Sequence, residues 1–137
     1  MKAKTRVSGF HVSNKKPIPK ERVLFSGYLQ VYDSENRRWD PLRGKLLLFV
    51  DGVKRREFNS DVYGQFEVDY EFMFPGKYEV EVRFEGGPKT RASMAGMRVE
   101  VITTEQRKRI TKLIRIFIAL LLIFIISVSL IMMFANL

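Results

Sequence analysis

Apolar and polar side chains alternate with a period of two through Gln65-Phe66-Glu67-Val68-Asp69-Tyr70-Glu71-Phe72 and again through Lys77-Tyr78-Glu79-Val80-Glu81-Val82-Arg83-Phe84. Successive side chains of a strand point to opposite faces, so each run presents aromatics and valines to a core and charges to water. Val23, Phe25, Leu29 and Val31 repeat the pattern, with Gly27 marking a bulge or a close approach. Lys45-Leu46-Leu47-Leu48-Phe49-Val50 is apolar throughout, which predicts a strand buried on both faces. Asp51-Gly52 follows it and suits a two-residue hairpin, because both central positions need positive φ. Val53 to Phe58 is the predicted returning strand, Arg98 to Ile102 the last strand, and Thr5 to Val12 the first. Seven short strands with turns between them predict an all-β, antiparallel sandwich over residues 1–103.

The pattern changes at Thr103-Thr104, where either threonine can cap a helix. Residues 104–115 form a basic helix start, and 116–137 carry no charged side chain. At about 1.5 Å per residue the uncharged run reaches roughly 30 Å, the thickness of a bilayer's hydrocarbon core. A soluble helix apolar on every side would need a larger body to enclose it than the remaining chain supplies. The expectation is a single transmembrane anchor.

Charge orients it. Arg107, Lys108, Arg109, Lys112 and Arg115 precede the span, and its far end has no charged side chain. The positive-inside bias puts the sandwich in the cytoplasm, and the first ten residues lack the apolar segment of a secretory signal. The opposite topology would make the chain an extracytoplasmic envelope or adhesion module. The five juxtamembrane cations account for part of the net charge of +9 and are expected on anionic lipid headgroups, together with Lys15, Lys16 and Lys20. Met73 and Phe74 are expected to dip beneath them, because the last strand runs toward the bilayer. Lys54-Arg55-Arg56 and Arg37-Arg38-Trp39 are the only basic clusters that could meet nucleic acid, and lipid is the favoured partner.

Catalytic chemistry finds no support in the residue types. The single histidine, His11, sits on a strand beside Ser8 and Ser13, too close in sequence and on the wrong faces for a triad. With no cysteine and one histidine a zinc site is disfavoured, and no cofactor is expected. Glu67, Asp69, Glu71, Glu79 and Glu81 are expected on the solvent faces of adjacent strands, where a cation site is the alternative to a solvated face. Binding residues are expected instead at the end away from the anchor, where the loops 33–43, 60–64 and 85–97 lie, and those named there are Arg37, Arg38, Trp39, Gly86, Gly87 and Met94. Trp39 could alternatively close the open end of the sandwich.

The succession Phe25-Ser26-Gly27-Tyr28-Leu29, Asp40-Pro41-Leu42-Arg43-Gly44-Lys45, Phe49-Val50-Asp51-Gly52, Tyr63-Gly64-Gln65-Phe66 and Pro75-Gly76-Lys77-Tyr78-Glu79-Val80 resembles the immunoglobulin-like or prealbumin-like modules of the carboxypeptidase regulatory kind. The resemblance spans residues 22–102 and rests on turn chemistry. It implies a non-catalytic sandwich of a type that often decorates prokaryotic membrane proteins. A binding or scaffolding module, serving as accessory subunit to a membrane protein partner, is the function it suggests.

Overall fold

A computed structural model describes residues 1–136, so Leu137, the last residue of the predicted anchor, lies outside the described residues. The chain forms two compact units, Met1–Ile102 and Thr103–Leu137. The first holds eight strands: β1 (Thr5–Val12), β2 (Arg22–Asp33), β3 (Arg38–Pro41), β4 (Lys45–Val50), β5 (Val53–Asn59), β6 (Gln65–Glu71), β7 (Gly76–Phe84) and β8 (Ser93–Val101). All pair antiparallel, in a β1-β2-β3 sheet that also takes β6 against β2, and a β5-β4-β7-β8 sheet. Sequential strands cross between the sheets at β3 to β4, β5 to β6 and β6 to β7, which gives the antiparallel sandwich expected from the alternation, of the immunoglobulin-like kind that the resemblance implies.

Eight strands stand where seven were expected, because the loop 33–43 contains β3. The long β2 shares one edge between two partners, β6 along Arg22–Tyr28 and β3 along Gln30–Asp33. Four residues that include Arg38, Asp40 and Pro41 are too few to display a period of two. Strand β8 also begins five residues earlier than Arg98, within the expected loop 85–97.

The inward residues of both sheets form one core: Val23, Phe25 and Leu29 of β2, Phe66 and Val68 of β6, Leu46, Leu48 and Val50 of β4, Val80, Val82 and Phe84 of β7, Val99 and Val101 of β8. Phe10 stacks on Phe25 and Phe58 meets Phe66, ring centroids 6.0 and 5.5 Å apart. Gly27 is the close approach, not the bulge. A Cβ there would lie 2.8 Å from the Phe66 ring, and the register shift falls on β1, between Ser8 and His11. Among the described residues, neither sheet packs over the second face of β4. Leu47 is nevertheless buried, and the Arg83 guanidinium lies 4.0 Å over the Phe49 ring, so long side chains of the same sheet supply the cover.

Turns follow the expected chemistry. Asp51 and Gly52 have φ of 49° and 78°, as the tight hairpin demands. Gly64 is more constrained: its φ is 75°, its carbonyl accepts from Leu29 N–H, and a Cβ would stand 2.4 Å from the Leu29 carbonyl oxygen. Gly64→Ala is expected to cost roughly 1–3 kcal/mol from backbone strain alone, with the clash in addition. Gly52→Ala meets nothing within 4 Å and should cost only the strain. Urea denaturation of the full chain in detergent, followed by Trp39 fluorescence, measures the difference.

The second unit is one helix, α1 (Thr104–Ala135). Thr103 caps it: its hydroxyl accepts from Gln106 N–H while the Gln106 side chain accepts from Thr103 N–H, a capping box. No residue of α1 is buried, and its most apolar 18-residue stretch has a mean hydropathy of 3.1. It is long and apolar enough to cross a membrane. The Ser127 hydroxyl donates to the Ile123 carbonyl one turn back, which satisfies it in an apolar setting.

Candidate functional site

At the end of the sandwich where β8 finishes, the linker between β1 and β2 is stitched to the sheets by its backbone. Glu100 N–H donates to the Lys15 carbonyl, Ile102 N–H to that of Pro17, and Lys20 N–H to that of Phe72. Pro17 is fully buried, so the lysines around it are fixed at their bases. Lys20 adopts φ of 68°, which turns the chain back into β2. The β6–β7 turn beside it exposes Met73 and Phe74, 55% and 73% accessible, and the Tyr78 hydroxyl pins it by donating to the Phe74 carbonyl. Lys15, Lys16, Lys20, Met73 and Phe74 therefore share one end of the sandwich with the Asp51-Gly52 turn.

Two further cations belong to that end and escaped the sequence. Lys77 of β7 and Arg98 of β8 line a shallow cleft of about 300 Å³ with Lys15, Lys16, Val99 and Glu100. Both read in sequence as ordinary members of a solvated strand face. Only the pairing of Lys77 with Glu100, and of Glu100 with the linker backbone, brings them beside Lys15.

On α1, Arg107, Lys108, Lys112 and Arg115 lie with Thr104 and Thr111 along one helix face, at spacings of three and four. Arg109 does not line that stripe.

The six residues expected as a partner surface are not brought together. Trp39 lies on the outer face of the first sheet, half-buried, 5.2 Å from the Tyr32 ring and with the Arg6 guanidinium 4.2 Å over its own. It is therefore no plug in the core. Arg38 pairs with Asp40 at 2.9 Å, and Arg37 holds φ of 52° in the turn before it. Gly86 and Gly87 remain in the β7–β8 loop. Met94 sits on strand β8, opposite Arg83 on the outer face of the other sheet. Sequence reasoning put the loop 60–64 at this end without naming its residues: Val62 and Tyr63 are 63% and 75% exposed there, at the same end as Gly86. Asp61 builds that turn: its carboxylate accepts from Tyr63 and Gln65 N–H, and its carbonyl from Gly64 N–H. The Asp-Val-Tyr-Gly string was the available signal.

The acidic residues are divided. Strands β6 and β7 belong to different sheets, so Glu67, Asp69 and Glu71 do not neighbour Glu79 and Glu81, contrary to the expectation of adjacent strands. Asp69 pairs with Arg22 at 3.1 Å, Glu79 with Arg98 at 2.5 Å and Glu81 with Arg83 at 2.7 Å. Among the described residues no three His, Cys, Asp or Glu gather as metal ligands. Glu57 bridges Lys54 and Lys45, and the hydrogen bond from Lys54 leads in holding its carboxyl below the ordinary 4.5. The His11 ring bonds locally to the Gly9 carbonyl, Ser8 bonds to Gln30, and Ser13 accepts from Leu24 N–H. Each is engaged within its own ladder.

No family model matches the sequence. Among solved structures, the CARDB domain of the PF1109 protein from Pyrococcus furiosus, determined in complex with di-metal ions, is 7% identical at a TM-score of 0.47, over 74% of this chain and 93% of that one. The PKD domain of the human VPS10 domain-containing receptor SorCS2 is 22% identical at 0.45, over 76% and 75%. Among curated proteins, an uncharacterized protein of Archaeoglobus fulgidus is 30% identical over 129 residues, which cover 92% of this chain and 88% of the relative. That alignment takes in the sandwich and reaches into α1, and by it the chain belongs to the same family as the Archaeoglobus protein.

Proposed function

We propose that this chain is a non-catalytic binding or scaffolding module, tethered to a membrane by α1 and acting as an accessory subunit of a membrane protein complex, with its sandwich in the cytoplasm. The observation that carries the reading is α1 itself: 32 residues, none buried, with two residues between it and the last strand. Such a helix needs either lipid or protein around it, and a single span with a basic stripe at one end fits lipid. The exposed Met73 and Phe74, flanked by Lys15, Lys16 and Lys20, have the composition of a headgroup contact, in which cations meet anionic lipid at about 1 kcal/mol each and apolar tips enter the interface. The opposite end, with Tyr63, Val62 and the Trp39 platform, offers rigid aromatic surface to a protein partner.

The test is chemical cross-linking in native membranes followed by detergent extraction and mass spectrometry. One discrete cross-linked species through residues 60–64 or 37–39, lost in a Val62→Asp, Tyr63→Asp variant that keeps its melting temperature, is the expected result. A chain that extracts alone and cross-links to nothing contradicts the accessory-subunit role.

A further inference from the structure

The end of the sandwich that carries Gly86 and Tyr63 also holds an assembled cationic cleft. Lys2 and Lys4 precede β1, Lys89 and Arg91 come from the β7–β8 loop, and Tyr32 and Ser34 come from the end of β2 and the turn after it. Together they line about 340 Å³, and no carboxylate lines it with them. None of the four cations takes part in an ion pair of the described residues.

The backbone beneath them is clamped. Ala3 N–H donates to the Lys89 carbonyl at 2.9 Å, Arg91 N–H donates to the Ala3 carbonyl at 2.8 Å, and Tyr32 N–H donates to the Lys4 carbonyl at 2.8 Å. The Thr5 hydroxyl adds a bond to the Arg91 carbonyl at 2.7 Å. Gly86, at φ of 89°, lets the loop close on itself, because a Cβ there would stand 2.9 Å from the Thr90 carbonyl. Two segments thus present four like charges around one concavity, with a third supplying Tyr32 and Ser34, and like charges so gathered favour the entry of an anion. An arginine fork, ammonium groups and two hydroxyls match the oxygens of a phosphoryl group, which accepts several charge-assisted bonds at once.

We propose that this cleft binds a multiply charged small molecule bearing a phosphate or pyrophosphate group. The site is distinct from the lysines around Pro17 and independent of the membrane reading. Its size suits one compact ligand better than a long polyanion, which would need cations continuing along a track.

The experiment is calorimetric titration of the full chain, in nanodiscs of zwitterionic lipid at moderate salt, with inorganic pyrophosphate. One saturable site is expected, weakened at least tenfold by Lys4→Gln with Arg91→Gln and unchanged by Lys54→Gln with Arg55→Gln on the β5 edge. Both pairs are exposed, and thermal melting confirms that each variant stays folded. Absence of saturable binding overturns the proposal, as does equal weakening by the β5 pair, which would mark diffuse attraction to net charge. Anionic nanodiscs separate a soluble ligand from a lipid headgroup: binding that survives in them supports the proposal, and binding abolished there assigns the cleft to headgroups and overturns it. Tight binding of a single-stranded oligonucleotide that pyrophosphate cannot displace also overturns it, in favour of a polyanion.

Discussion

Phe25→Ala is expected to remove about 3–5 kcal/mol from the stability of the sandwich. The side chain is fully buried in the first half of β2, stacked on Phe10 and paired in register with Val68 of β6. Truncation there loses the transfer energy of an aromatic ring and leaves a cavity that two hydrogen-bonded sheets cannot collapse to fill. Domains of this size are stable by only about 5–15 kcal/mol, so the loss is a large fraction of the total. Phe74→Ala is the control, because Phe74 is exposed and its loss should stay within about 0.5 kcal/mol. Urea unfolding of the two variants in the same detergent compares them. Equal midpoints would show that the β2 face is not the core.

The second large effect concerns α1. Fourteen Leu, Ile, Val and Phe residues lie between Ile116 and Phe134, and together they favour insertion by about 4–8 kcal/mol. Arginine at mid-span costs about 2.5–3.5 kcal/mol per residue, so Leu122→Arg, Ile125→Arg and Val128→Arg in one chain should reverse the balance. The wild-type chain is expected to stay with membranes through alkaline carbonate washing, and the triple variant to leave the pellet. Retention of the triple variant would mean that something other than α1 holds the chain.

Strands whose two faces meet different media were legible in the sequence. Phe66, Val68, Val80 and Val82 announce their sides because each is followed by a charge that must stay wet. Strand β3 was not legible, since its reason for existing lies in the unpaired half of β2, a property of another segment. The early start of β8 was hidden for a related reason: Ala95 and Gly96 carry too little side chain to show a face. The long apolar helix α1 and its capping threonine were readable from local composition alone.

Surface sites divide along the same line. Lys15, Lys16, Lys20 and Phe74 could be grouped from strand direction, because alternating strands return to the same end. Lys77 and Arg98 could not, as their neighbours depend on register. Trp39 and Met94 looked alike as residues near one end of the sandwich, yet the pairings with Tyr32 and Arg83 put them on opposite outer faces. The cleft at Lys2, Lys4, Lys89 and Arg91 depends on a bridge between Ala3 and Thr90, segments 87 residues apart, for which no local pattern exists.

The chain contains no cysteine, so single-cysteine variants report position cleanly. Val62→Cys places a thiol on an exposed turn of the sandwich, and Asn136→Cys places one at the far end of α1. Intact cells treated with a membrane-impermeant maleimide are the direct measurement. An α1 that spans the membrane with its basic end in the cytoplasm gives labelling of the residue-136 variant at once and of the residue-62 variant only after permeabilisation. Labelling of both from the same side would contradict the span, and labelling of residue 62 alone in intact cells would put the sandwich outside.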